Sequence, residues 1–338
     1  MRTPKAIVGL ALAAAFAAAC TSGSAATPLA STTPVPSAAP TAAASVAPSE
    51  AASSSAAPTT APTPVPTQNA CAPSNLTLKT AGKLTIGTDN PGYPPYFSPS
   101  SPNPKPWQLG DPTNQQGFEA AVAYAVAKQL GFTPDQVAWT VVPFDNSYQP
   151  GAKPFDFYIA QVSYTDARAK AVDMSDGYYF VAQSVVALKT SPLASVTTTS
   201  GLKSFKFGAQ VGTTAYDTIK NTIQVPSSQI SVYNSNDAAI KALQAKQIDG
   251  LVVDLPTAFY VTAAQIVDAK GNALANIVGQ FPVTAGPDAE HFSLVLAKSS
   301  PLTSCVNQAI ASLKADGTLD QITKTWLSDK ASAPAFQP

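Results

Sequence analysis

The residues best placed for chemistry are Ser163, Thr165 and Arg168, within the stretch YIAQVSYTDARAKAVDMSDGYY from Tyr158 to Tyr179. A short apolar run breaks at Ser163-Tyr164-Thr165, and a helix is expected to start with Asp166-Ala167-Arg168. Free backbone N–H groups and the positive end of a helix meet at such a corner, which makes it an anion site. Thr165 is suited to cap the helix, and the planar fork of Arg168 matches a carboxylate. The chemistry implied is capture of a small carboxylate, with a solvated helix arginine as the competing reading.

Composition narrows the field. The chain has 338 residues, no net charge, 12% charged residues and one histidine, His291. A neutral chain offers no basic field to a nucleic acid, so no nucleic-acid partner is expected. One histidine excludes His-clustered metal sites and speaks against Ser-His-Asp chemistry. His291 is expected to be structural, at the start of a strand.

Arg2 and Lys5 precede an apolar run from Ala6 to Ala19. The run is shorter than the roughly 20 residues that span a bilayer, so it reads as a targeting segment. It closes in small residues and Cys20, which resembles a bacterial lipoprotein signal with Ala17 where leucine is usual. Cys20 is therefore the expected lipidation site, and secretion with cleavage after an Ala-x-Ala is the alternative. Either route leads outside the cytoplasm, where Cys71 and Cys305 are expected to pair as one disulfide. Two separate buried thiols are the other possibility.

The elements that must position the corner lie beyond a tether. Residues 21–74 are almost wholly Ala, Ser, Thr and Pro, a composition that cannot bury a core and is expected to stay extended and disordered. Strands are expected at 84–88, 137–142, 183–188, 206–211, 230–233, 248–254 and 292–297. Helices are expected at 118–130, from 166, from 214, at 236–247, from 256, at 302–315 and at 319–327. Thr214 and Asp217 stand at capping-box spacing. Alternating strands and helices argue for an α/β fold with a mostly parallel sheet. The stretch Ser98 to Gln116 is an unusually long polar loop.

Six motifs then follow in order: GTDNPGYPPY at Gly87–Tyr96, QGFEAAVAYAVAKQLGF at Gln116–Phe132, FDFYIAQVSYTDARAKAVDMSDGYY at Phe155–Tyr179, FGAQVGTTAY at Phe207–Tyr216, AAIKALQAKQIDGLVVD at Ala238–Asp254 and LKADGTLDQITKTW at Leu313–Trp326. Together they resemble the family 3 extracellular solute-binding proteins of ABC importers. The resemblance implies a two-lobed flytrap of the periplasmic-binding-protein fold, with two crossovers between lobes. Residues 75–187 plus 292–330 would form lobe 1 and 188–291 lobe 2, after a signal peptide at 1–20 and the linker at 21–74. The disulfide would then lie within lobe 1.

The same resemblance implies roles. Arg168 would fork onto the α-carboxylate of a free amino acid, and Ser163 and Thr165 would bind the ligand backbone. Thr213 would approach the carboxylate from lobe 2, and Asp254 would take the α-ammonium. Asp89 would meet a polar side chain between the aromatics Tyr93 and Phe144. Asp156 and Asp249 are expected to be structural, and Asp176 to belong to a turn. Two departures bear on specificity: Ala121 stands where the family has a second acid after Glu119, and Ala160 and Gln161 stand where small hydroxyl residues are common. The implied protein is a monomeric, lipid-anchored binder that needs no cofactor, performs no bond chemistry and hands a polar amino acid to a permease. The alternatives are a cyclohexadienyl dehydratase on the same fold and a stand-alone amino-acid receptor.

Overall fold

The computed structural model describes residues 70–283, 289–327 and 333–338. The targeting segment, Cys20 and the tether up to residue 69 lie outside them. Two five-stranded sheets organise the described chain.

The first sheet has the order β2-β1-β3-β12-β4, with β1 Leu84–Thr88, β2 Val137–Val141, β3 Phe157–Tyr158, β4 Asp173–Met174 and β12 Val295–Leu296. Helices α1 Phe118–Gln129, α7 Thr303–Ala315 and α8 Thr318–Trp326 pack on it. α1 is apolar on most sides and buries Phe118, Ala120, Val122, Ala123 and Val126 in a core shared with Leu84, Ile86, Val306 and Ile310. Two short helices, α2 Phe144–Ser147 and α3 Asp166–Ala171, stand at the C-terminal ends of β2 and β3.

The second sheet has the order β10-β6-β9-β7-β8, with β6 Gln183–Leu188, β7 Phe207–Gln210, β8 Ile230–Tyr233, β9 Gly250–Asp254 and β10 Ala275–Gln280. Its helices are α4 Thr214–Asp217, α5 Asn236–Gln244 and α6 Leu255–Tyr260, with α4 and α6 each running on into a π-helical turn. Between the sheets, β5 Tyr179–Phe180 and β11 His291–Phe292 pair antiparallel, so the two crossover strands lie side by side. The Val181 amide donates to the Glu290 carbonyl at 3.1 Å there.

Several expectations need correction. The sheets are mixed rather than mostly parallel. β1 runs parallel to β2 and β3, and β7 to β8 and β9, but the strands next to the crossovers, β6 and β12, return antiparallel. β6 pairs with β9 and β10 along its length, so Gln183–Leu188 belong to the second sheet. The tether also ends earlier than residue 74. Cys71 is bonded to Cys305, with Cα atoms 5.4 Å apart, and Leu76 and Leu78 pack on the first core. Thr213 rather than Thr214 is the N-cap of α4, so the Thr214–Asp217 box does not form.

The end of the chain adds a feature that local patterning does not carry. After α8, which packs in the first lobe, residues 334–337 lie along the second sheet. The Gln280 amide donates to Pro334 O at 2.9 Å, and the Phe336 amide donates to Gln280 O at 3.0 Å. Gln337 bridges Thr198. The Phe336 ring, 4% exposed, sits 5.0 Å from the Phe281 ring and against Gly279, where any Cβ would collide with it.

Candidate functional site

The C-terminal ends of the strands of both sheets face a common cleft, where α/β sheets hold ligands. The cleft opens onto about 690 Å³ of non-atom space, solvent at its mouth included. Asp89, Tyr93, Phe144, Ser163, Arg168, Thr213 and Asp254 all line it, drawn from both lobes.

Arg168 is buried, at 7% exposure. Thr165 places it: its side chain caps α3 by accepting from the Arg168 amide at 3.2 Å, and Thr165 itself does not line the cleft. The guanidinium donates to Ser163 O at 2.5 Å and, across the cleft, to Gly212 O at 2.7 Å. It also stacks over Tyr148 at 4.5 Å and Phe144 at 5.6 Å, a cation–π arrangement. Phe144 therefore meets the arginine in this structure. Burial pulls the Arg168 pKa down, and Tyr148 opposes the shift. A guanidinium has five N–H donors, so several remain for an incoming carboxylate.

On the facing lobe, Thr213 holds the N-cap position of α4 without a side-chain cap bond, and its hydroxyl donates to Gln210 O at 2.8 Å. Asp254 ends β9. Gln183, at the start of β6, donates from Nε2 to Asp254 Oδ1 at 2.6 Å, to Glu290 Oε1 at 3.0 Å and toward Thr214 at 3.3 Å. Ser163 donates to the same Glu290 oxygen at 2.9 Å. Burial, and then the Glu290 charge, push the Asp254 carboxyl up to about 8, against the Gln183 hydrogen bond.

Asp89 follows β1 and accepts from the Asn90 amide at 2.8 Å. Burial raises its carboxyl, and Asp145 adds to the rise. Burial likewise raises the Tyr93 phenol, which faces Asp237 of the opposite lobe. The Asn90 side chain donates to Pro106 O at 2.9 Å and accepts from the Gln108 amide at 3.1 Å, so the long 98–116 loop braces the rim that carries Asp89 and Tyr93.

Beneath the cleft floor, Glu119 is fully buried. It accepts from the Gln161 amide at 2.6 Å, the Gln161 side chain and the Tyr178 hydroxyl. This holds Gln161 in the left-handed region, at φ 50°. Burial pushes the Glu119 carboxyl up to about 7.

The structural residues sit where they were expected. Asp156 accepts from the Lys79 and Thr85 amides and Asp249 from the Lys206 amide, while His291 opens β11 and stacks on Tyr164 at 5.3 Å. Residues not singled out in the sequence are Tyr148, Gln183 and Glu290. Tyr148 carries the spacing signal, four residues after Phe144. Gln183 is a polar residue at the head of an otherwise apolar strand. Glu290 carries no local signal.

A model of the bacterial extracellular solute-binding proteins, family 3, matches residues 99–329. This chain is a family 3 bacterial extracellular solute-binding protein. Among its relatives, the L-cystine-binding protein TcyJ of Escherichia coli K12 is 25% identical over 74% of this chain and 84% of its own length. The arginine-binding extracellular protein ArtP of Bacillus subtilis is 24% identical over 77% of this chain and 95% of its own. An ancestral arginine-binding protein bound to glutamine is 27% identical, covers 74% of this solute-binding protein and 100% of its own chain, and superposes with a TM-score of 0.57. Among the described residues no helix is long and apolar enough to cross a membrane.

Proposed function

We propose that this solute-binding protein is the extracytoplasmic component of an ABC importer, that it holds a free polar amino acid between its closing lobes, and that it delivers that ligand to a permease in the cytoplasmic membrane. It works as a monomer, tethered through lipidated Cys20, and breaks no bond in its ligand. One observation supports the reading: a single cleft is lined by a buried guanidinium, by Thr213 at the N-cap position of α4 and by the Asp254 carboxyl. That pattern complements a zwitterion. Arg168 takes the α-carboxylate, with Thr213 approaching from the facing lobe. Asp254 and Ser163 take the α-ammonium.

The remaining charge selects the side chain. Once Arg168 and Asp254 have met the two ends, Asp89 is left beside Tyr93 without a cation. A side chain carrying positive charge or amide N–H donors satisfies it. The names of the relatives, which bind cystine and arginine, are compatible with a polar amino acid.

A thermal-shift screen against the twenty amino acids tests this. Stabilisation of about 3 kcal/mol is expected at a hundredfold excess over the dissociation constant. Arginine, lysine, histidine and glutamine are expected to stabilise most, and no shift with any amino acid refutes the assignment.

One observation favours a second reading, an extracytoplasmic dehydratase. Burial, and then the Glu290 charge, push the cleft carboxyl of Asp254 up to about 8, within the range a general acid needs. Turnover of prephenate or arogenate would establish that activity.

A further inference from the structure

A second acid, Glu290, stands behind Asp254. Asp254 Oδ1 and Glu290 Oε1 share one donor, the Gln183 Nε2, at 2.6 and 3.0 Å. An amide that hydrogen-bonds two carboxylates holds them close without neutralising either. Arg168 is the cation whose field reaches both acids, yet its hydrogen bonds go to the carbonyls of Ser163 and Gly212. The other titratable groups around Asp254 are Glu119, Tyr96, Tyr178 and Tyr179, and none brings positive charge. Among the described residues, the one side-chain ion pair is Lys298–Asp173, elsewhere in the first lobe. Gln183, 3% exposed, leaves its Oε1 without a hydrogen-bond partner, a sign that the cluster is incomplete as it stands.

Glu290 does not line the cleft; it sits one layer behind, next to the crossover strand β11. Its oxygen accepts from Ser163 of the first lobe and from Gln183 at the head of β6. It therefore sets the direction of the two polar groups nearest Asp254.

We propose that Glu290 is a positioning residue for the ligand ammonium: it orients the Ser163 hydroxyl and the Gln183 amide, and its carboxylate adds to the burial of Asp254 so that Asp254 holds a proton that leaves when an ammonium arrives. This rests on the amino-acid reading above. A buried acid beside a second carboxylate, with Arg168 hydrogen-bonded to carbonyls instead, does not ionise readily. The bound ammonium supplies the missing charge, so binding exchanges the proton for the ligand. The proton passes from the Asp254 carboxyl to solvent, and no covalent bond of the ligand changes.

The test is calorimetry on wild type and Glu290→Gln with L-arginine, L-lysine, L-histidine and L-glutamine between pH 6 and 9, in two buffers of different ionisation enthalpy. Wild type is expected to release about one proton per ligand at pH 7, with affinity rising about tenfold per pH unit until it levels off near pH 8. In Glu290→Gln the levelling point moves down by at least one pH unit, and affinity above it falls five- to tenfold. If both proteins share one pH profile, the role of Glu290 is overturned while the amino-acid reading stands. If wild type binds none of the four ligands, both fall. If Glu290→Gln does not fold, Glu290→Asp replaces it: the shorter acid is expected to lose the Ser163 and Gln183 bonds and to bind at least fivefold more weakly at pH 8, and unchanged affinity overturns the positioning role.

Discussion

Arg168 donates across the cleft to the Gly212 carbonyl at 2.7 Å, and Tyr148 donates to the same oxygen at 3.2 Å. The group proposed to hold the ligand carboxylate thus also ties the two lobes together. Gly212 permits this through a positive φ of 72° and the absence of a Cβ, which would strike the Tyr148 hydroxyl. An incoming carboxylate must compete with that carbonyl.

Arg168→Ala is expected to weaken amino-acid binding by two to three orders of magnitude. It removes one partner of a buried charge pair, a loss of about 3–5 kcal/mol. Titration calorimetry measures the loss, and a retained melting transition shows that the fold persists.

Asp254 gives the ligand-free protein a pH dependence. Its folded pKa, about 8, lies above the value of about 3.9 for an unfolded aspartate. The folded state holds the proton more tightly, so the associated stability is fully present below pH 4 and is lost as pH rises through 8. Melting temperatures are expected to fall between pH 5 and pH 8.5, with a shallower slope in Asp254→Asn. Other carboxyls dominate acid unfolding below that window.

The Cys71–Cys305 bond closes a loop across 234 positions. Chain-entropy arguments assign such a loop about 5 kcal/mol, an upper figure. Cys71→Ser with Cys305→Ser is expected to lower the melting temperature by several degrees. Ligand affinity should change little, because both cysteines pack in the first lobe away from the cleft lining. Unfolding curves and calorimetry on the same sample separate the two effects.

The tail from residue 334 gives the chain another attachment to the second lobe beyond the crossovers. Phe336→Ala is expected to cost about 3–5 kcal/mol of that lobe's stability. Ending the chain at residue 332 removes the attachment altogether. Small-angle scattering of the ligand-free protein should then report a larger radius of gyration, and an unchanged radius would show that the tail does not restrain the hinge.

Local order in the sequence was enough for much of the architecture. α1, α7 and α8 follow from their apolar spacing and from glycine stops, and β6, β8 and β9 from short apolar runs. The anion corner is also local: Thr165 and Arg168 are three residues apart, so cap, helix start and guanidinium come together whatever the rest of the chain does. Tertiary structure decided the rest, because the partners are remote. Glu290 reaches Ser163 across 127 positions, and Gln183 reaches Asp254 across 71. No spacing rule pairs residues so far apart; they meet because β6 and β9 lie side by side and both crossovers run through one junction. The docking of Phe336 has the same origin. A lone aromatic in a short terminal segment has no periodicity, and its burial depends on the gap that Gly279 leaves on a strand formed from the middle of the chain.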